Sequence, residues 1–275
     1  MLKLELVEAV LARALKGGAD FAEVYAQRAK KRRMKVRQGA LEEALSGLDY
    51  GAGVRLFFGT EVVYAYTNDL TQEGLMEALE TLLRAKGALG KVDEGGKGGL
   101  DFRKATPKGL HAPKVPYGEK DKRYRLERLL EAEAGARIAP AIKQVEASLL
   151  EWEEEVLVAN TEGVFAEEKR VRTRLFVLAV AQDGAEVQTG YSAPGKSVGL
   201  ELFDLYPPKA VGEKAARQAL TNLKARPAPA GTFPVVVGPG FGGVLLHEAV
   251  GHLLETTSVA RKASVLADTP GEAVA

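Results

Sequence analysis

The sequence contains no cysteine, which removes disulfides, thiol nucleophiles and thiolate metal ligands from the chemistry open to these residues. It also has almost no excess charge. Lysine and arginine total 38 against 37 acidic residues, a net charge of +1, so no broad field attracts nucleic acid or an anionic lipid surface. No apolar run approaches the roughly 18 residues of a membrane span, and Met1-Leu2-Lys3-Leu4-Glu5-Leu6 enters an amphipathic pattern instead of a signal peptide. Together these absences point to a cytoplasmic protein with neither nucleic acid nor membrane as partner. Histidine is scarce too, with 3 in the chain, so a histidine-built site has few places to be.

What is present is apolar content: 46% of 275 residues are hydrophobic, enough for one large domain or for one domain and part of another. Val7, Val10, Leu11, Ala14 and Leu15 recur at helical spacing, and Gly17-Gly18 can end that helix. Phe21 to Val36 reads as one or two strands. The basic run from Arg28 to Arg37, followed by Glu42 and Glu43, is expected to form a solvated, internally neutralised strand face, since no aromatic stacking residues interleave it. Val54, Leu56 and Phe58, then Gly59-Thr60, then Val62, Tyr64 and Tyr66 give a hairpin pattern. Thr71 is placed to cap a helix through Leu75, Leu79, Leu82 and Leu83. Helix, strands, helix is the order of an α+β layer, with helices on one face of a mostly antiparallel sheet.

From about Gly87 to Gly118, glycines and prolines predict a long loop or crossover in which His111 is an ordinary surface residue. A charged helix is expected over Asp121 to Ala134, with Tyr124, Leu129 and Leu130 as a narrow buried stripe, then a strand about Val156 to Ala159 and the turn Asn160 to Gly163. Arg170, Arg172 and Arg174 alternate with Val171, Thr173 and Leu175 before the apolar run Phe176 to Ala181. Such arginines can meet the carboxylates of an extended ligand, although a solvated strand face is the commoner use of the pattern. After a helix over Val211 to Leu223, Arg226-Pro227-Ala228-Pro229-Ala230-Gly231 is the best linker in the chain and predicts a domain boundary near 228.

Beyond the linker, Val235-Val236-Val237 reads as a buried strand, Gly238 to Gly243 as a tight turn, and Val244 to Leu254 as a helix. The turn lacks the lysine and hydroxyl of a phosphate-binding P-loop. In the helix stand His247 and His252, two nitrogen donors of the type zinc takes, with Glu248 beside the first as a candidate base. In the common zinc-peptidase helix the two histidines are four residues apart and share a face; here they are five apart. Five residues of a regular α-helix turn through about 500°, leaving the rings roughly 140° apart, whereas a π-type turn takes up one extra residue and returns them to one side. The spacing therefore predicts a local widening near Val250-Gly251, the alternative being two histidines on different faces with Glu248 in solvent.

The string Leu245-Leu246-His247-Glu248-Ala249-Val250-Gly251-His252, followed by Leu254-Glu255, resembles the TldD/PmbA family, specifically its TldD-like metallopeptidase branch. Ala19 to Tyr25, Asn160 to Val164 and Arg170 to Arg174 carry further likeness. The resemblance implies an N-terminal layered α/β domain with a mostly antiparallel sheet, residues 1–228, and the start of a β-rich metallopeptidase domain, residues 229–275. It implies zinc-dependent hydrolysis of unfolded or small peptides, with His247 and His252 as metal ligands and Glu248 as the residue that activates water. It further implies a homodimer, or a heterodimer with a PmbA-like chain, enclosing a proteolytic chamber. The family's third protein ligand is a cysteine much farther along, so the resemblance places it outside this cysteine-free chain. A chain cut within its C-terminal domain is expected, and activity of these residues alone is doubtful. Two other readings stay open: a non-catalytic peptide-binding or assembly subunit, and a nucleotide-binding enzyme that uses the glycine turn.

Overall fold

The computed structural model describes residues 1–87, 100–105 and 112–273; the expectation for His111 lies outside them. The chain divides into two compact units, Met1–Ala225 and Arg226–Ala275.

In the first unit, α1 (Leu4–Lys16) buries Val7, Val10, Leu11 and Ala14, the stripe set by helical periodicity. It is followed by β1 (Phe21–Arg37), β2 (Ala40–Phe58) and β3 (Glu61–Thr67). The helix α2 (Gln72–Ala85) starts at Thr71, whose side chain accepts from the Gly74 backbone N–H, and buries Leu75, Leu79, Leu82 and Leu83. Then come a short strand β4 (Arg103–Ala105), a single 3₁₀ turn (Tyr117–Glu119) and α3 (Lys122–Ala136), which Asp121 caps by accepting from the Tyr124 N–H. The strands β5 (Ile142–Asn160), β6 (Val164–Asp183), β7 (Glu186–Ser192) and β8 (Gly195–Lys196) precede a helical turn α4 (Leu202–Leu205) and the helix α5 (Pro208–Asn222). The sheet runs β3-β2-β1-β5-β6-β4, with β7 and β8 also pairing with β6. Only β4 runs parallel to its neighbour, so the unit is α+β with a mostly antiparallel sheet.

The long strands are shared by two cores. One is built from α1 and α2 against Ala22, Val24 and Ala26 of β1 and their neighbours on β2 and β5; the other is built from α3 and α5 against Met34 and Val36 at the far end of β1 and the adjoining parts of β5 and β6. All five β1 residues have the same parity, so both cores lie on one face of the sheet. Full burial of each leucine in them contributes about 1.5–3 kcal/mol. Between the cores that face turns charged. Arg125 of α3 meets Glu151 of β5 at 2.5 Å and 3.2 Å through two guanidinium nitrogens, and its other contacts are the Tyr117, Lys120 and Asp121 carbonyls. Arg32 lies 3.5 Å from the same carboxylate. Among the described residues, the opposite face of the sheet carries no helix of this unit.

Several elements depart from the sequence reading. The expected strand Val156 to Ala159 is the end of a strand that begins at Ile142, whereas the basic run forms the neutralised strand face expected of it, in the second half of β1. The reason is pairing: Arg28, Lys30 and Arg32 of β1 stand opposite Glu155, Glu153 and Glu151 of β5, and their charges offset one another across the ladder. Lys31–Asp49, Arg33–Glu43 and Arg37–Glu146 pairs neutralise much of the rest. Within the expected loop from 87 to 118, Arg103–Ala105 joins the sheet as β4. In the second unit, Val235-Val236-Val237 is neither strand nor buried; Val236 is 96% exposed. A strand needs a ladder partner to satisfy its backbone, and among the described residues none pairs with these three.

Candidate metal centre

The second unit begins without regular structure and turns at Gly240, where φ of +90° calls for glycine. The Gly243 and Val244 amides donate to the Gly240 and Phe241 carbonyls and start a helical segment. That segment is continuous from Gly242 to Leu254 but changes pitch twice. It is α-helical over α6 (Gly242–Leu246), π-helical over His247–Gly251 and 3₁₀ over His252–Leu254. A short helix α7 (Thr256–Ala260) follows. The hydroxyl of Ser264, the one buried residue of this unit among those described, donates to the Leu253 carbonyl at 2.7 Å and accepts from the Leu266 amide, tying the later turns to the end of the motif helix.

The widening falls where the histidine spacing requires it. The His252 backbone N–H donates to the His247 carbonyl, an i to i−5 bond that defines a π turn. Its effect is to bring the imidazoles together, with ring centroids 4.6 Å apart and planes at 70°. Glu248 lies on the same side, its Oε2 3.4 Å from Nε2 of His252. One ligand atom from each of His247, Glu248 and His252 lies within 4.8 Å of the other two, and all three side chains are exposed. Gly251 leaves open space beside the first ring, a Cβ there standing 3.5 Å from His247 Nδ1, an ordinary contact.

A fourth residue belongs to this arrangement and was not assigned from the sequence. Glu255 places Oε1 2.7 Å from Nδ1 of His252. A carboxylate only accepts, so in this contact Nδ1 is the donor, while Nε2 faces Glu248 at 3.4 Å. Carboxylates commonly hold metal-binding imidazoles in this way. The available signal was the i, i+3 spacing of His252 and Glu255, which puts the two on neighbouring positions of a helical turn.

The donor chemistry fits a zinc-type ion: neutral imidazole nitrogens and a carboxylate, on an exposed turn that leaves room for further ligands. One donor atom from each side chain lies within 4.8 Å of the other two, close enough for the imidazoles to converge on one ion. The glycine turn, by contrast, follows no strand and has no lysine, so the strand, turn and helix context of a phosphate loop does not form among the described residues.

Comparisons with known proteins cover both units. Models of the PmbA/TldA metallopeptidase match in three consecutive pieces: domain 1 over residues 22–86, the central domain over 113–223 and the C-terminal domain over 230–275. A metalloprotease TldD homolog of Haemophilus influenzae is 32% identical over 265 residues, which cover 93% of this chain and 54% of that protein. A metalloprotease of Methanothermobacter thermautotrophicus is 28% identical over 257 residues, 93% of this chain and 55% of that one. Among solved structures, TldE from Thermococcus kodakarensis shares the fold with a TM-score of 0.69 at 16% identity, over 96% of this chain and 58% of that one. A proposed modulator of DNA gyrase from Bacteroides thetaiotaomicron does so with a TM-score of 0.73 at 18% identity, over 98% and 61%. The chain thus spans a little over half the length of the relatives it matches. No helix of the described residues is long and apolar enough to cross a membrane. With three successive domain models, a metalloprotease relative at 32% identity and a histidine pair drawn together on a π turn, the chain belongs to the TldD/PmbA metallopeptidase family.

Proposed function

We propose that this chain contributes the metal-binding helix of a zinc-dependent peptidase acting on unfolded or small peptides in the cytoplasm, as a homodimer or with a PmbA-like partner. The observation that carries the reading is the π turn, which brings His247 and His252 to one side with Glu248 between them in sequence.

His247 and His252 are the residues that would hold the ion. When bound, zinc would supply Lewis-acid polarisation of a peptide carbonyl and a lowered pKa for water at the site. Glu248 is the base: an exposed carboxylate beside both rings, it takes a proton from the attacking water and returns it to the leaving amine. Glu255 acts through His252, its hydrogen bond to Nδ1 orienting the ring so that Nε2 would face the ion. A stable site needs a further donor beyond two imidazoles, and no thiolate is available in these residues.

Titration with zinc or cobalt(II) tests the assignment. His247→Ala is expected to weaken metal binding at least tenfold, whereas Glu248→Gln leaves it intact and abolishes chelator-reversible peptide cleavage by a full-length protein carrying this helix. Unchanged metal affinity after His247→Ala would end the reading, and full cleavage after Glu248→Gln would remove the base from it.

A further inference from the structure

The helix-free face of the sheet in the first unit holds a cavity of about 870 Å³ that the proposed hydrolysis does not use. Its floor is apolar, with Leu45 from β2 and Leu150 and Trp152 from β5, the two strands that flank β1. Around that floor stand Lys31, Arg33, Arg172, Arg174 and Lys196, all exposed. The carboxylates nearest them are few and engaged: Asp49 pairs with Lys31 at 3.4 Å and Glu43 with Arg33 at 3.4 Å. Glu151 reaches the cavity wall, but its carboxylate is held on the other face by Arg125. Among the described residues no carboxylate lies within 4 Å of Arg172, Arg174 or Lys196. In a chain whose overall charge is +1, this is a local cationic surface over an apolar floor, and it does not reflect general basicity.

We propose that this face is a binding site for an extended acidic peptide segment with carboxylates at alternate positions and a bulky apolar residue beside them. The geometry suits such a partner in two ways. Arg172 and Arg174 are two residues apart on one strand and lie on one face, so their Cα atoms repeat at about 6.6–6.8 Å; the carboxylate-bearing residues of an extended peptide repeat at the same distance. Arginine presents a planar fork that takes a carboxylate through two parallel bonds. The apolar floor meanwhile accepts a leucine-sized or aromatic side chain, which a simple anion would not fill.

Nucleic acid fits less well. Single strands are held on basic surfaces by bases stacking on open aromatic rings, and the one aromatic ring here is already occupied. Trp152 has the Lys31 ammonium 4.6 Å and the Arg172 guanidinium 5.7 Å from its ring centroid. Its indole N–H is shielded and has no acceptor among the described residues. The site involves the first unit alone, so it stands or falls independently of metal binding and hydrolysis.

Fluorescence anisotropy with this chain, in the presence of chelator, provides the test. The probe is a labelled Glu-Ser-Glu-Ser-Leu-Ser peptide, with the matching lysine peptide and an oligothymidine of equal length as competitors for the assignment. The acidic peptide is expected to bind at least tenfold more tightly than either, to weaken as salt is raised from 50 to 300 mM, and to lose at least tenfold in affinity with Arg172→Glu and Arg174→Glu combined. Lys196→Glu, placed in a two-residue strand outside the long ladders, gives a second reading of the same charge should the double variant fail to fold, and is expected to weaken binding severalfold. Equal binding of acidic and basic peptides, tighter binding of the oligothymidine, or unchanged affinity in the folded charge-reversal variants would each overturn the proposal.

Discussion

The two units of this chain spend their apolar residues differently. In Met1–Ala225, valines and leucines lie in two closed cores, and even charged groups such as Glu151 and Arg125 are buried with partners. In Arg226–Ala275, Val235, Val236, Phe241, Leu245, Leu246 and Leu254 are exposed. Comparable apolar content thus gives a packed layer where sheet and helices face each other, and a lightly packed helix where little faces it. The chemistry follows the lightly packed side: the imidazoles of the motif are open to solvent and ligands, while buried ionisable groups of the first unit such as Arg125 and Glu151 are paired and hold its shape.

Hydrogen exchange on the 275-residue chain would show this contrast at its largest. Amides in the paired interiors of β1, β5 and β6 are expected to be protected about a thousandfold or more beyond those of Gly242–Leu254, because sheet opening requires most of the first unit's stability whereas the motif helix buries little. Comparable protection in the two regions would erase the distinction.

A smaller but still large effect is expected from Arg125→Ala. It strips the nearer partner from a carboxylate that is 2% exposed, leaving Arg32 at 3.5 Å, and removing one half of a buried pair costs about 3–5 kcal/mol. Denaturant unfolding measures it, and Arg125→Met paired with Glu151→Leu should recover most of the loss because no charge is then left buried. A loss under about 1 kcal/mol would mean that solvent screens the pair and that the first unit is looser than its packing implies.

The smallest effect concerns one proton. Tyr117 is buried, donates toward the Arg172 carbonyl and shares a 2.8 Å bond with Thr173. Burial pushes its phenol up to about 12 from 10, against a modest opposing pull from the Thr173 hydrogen bond. A group raised in the folded state contributes stability that is complete below the unfolded value and disappears as pH climbs through the folded one. Stability of the first unit should therefore fall between about pH 10 and 12, and Tyr117→Phe should make that decline shallower. Identical slopes for the two proteins would show the phenol to be solvated.

Much of the first unit could be read in advance where its pattern was local. The stripe Val7, Val10, Leu11, Ala14 and the Thr71 cap describe α1 and α2 as they stand, because a helix buries residues three and four apart and caps its own amides. The π turn was legible for the same reason: one extra residue between two histidines is a fact of spacing. Strands written in charge were not. Glu151-Trp152-Glu153-Glu154-Glu155 carries no apolar alternation, and it pairs as strand because β1 and β6 offer cations across the ladders on its two sides. Val235-Val236-Val237 carries a strong strand pattern and forms none, since β propensity acts only through a partner. Glu255 stood in the motif string without a role, because nothing in its identity assigns one; its hydrogen bond to His252 does.

The order of residues by itself settled the four long helices of the first unit, which chemistry the absence of cysteine excludes, and that His247 and His252 need a widened turn to share a side. Tertiary structure alone decided that one face of a long sheet carries two separate cores, that scattered acids and bases become a paired ladder, and that cations from β1, β6 and β8 gather over an apolar floor. The physical reason is range: helix periodicity and caps are satisfied within a few residues, whereas charge pairing and cavities are made by strands more than a hundred residues apart in sequence.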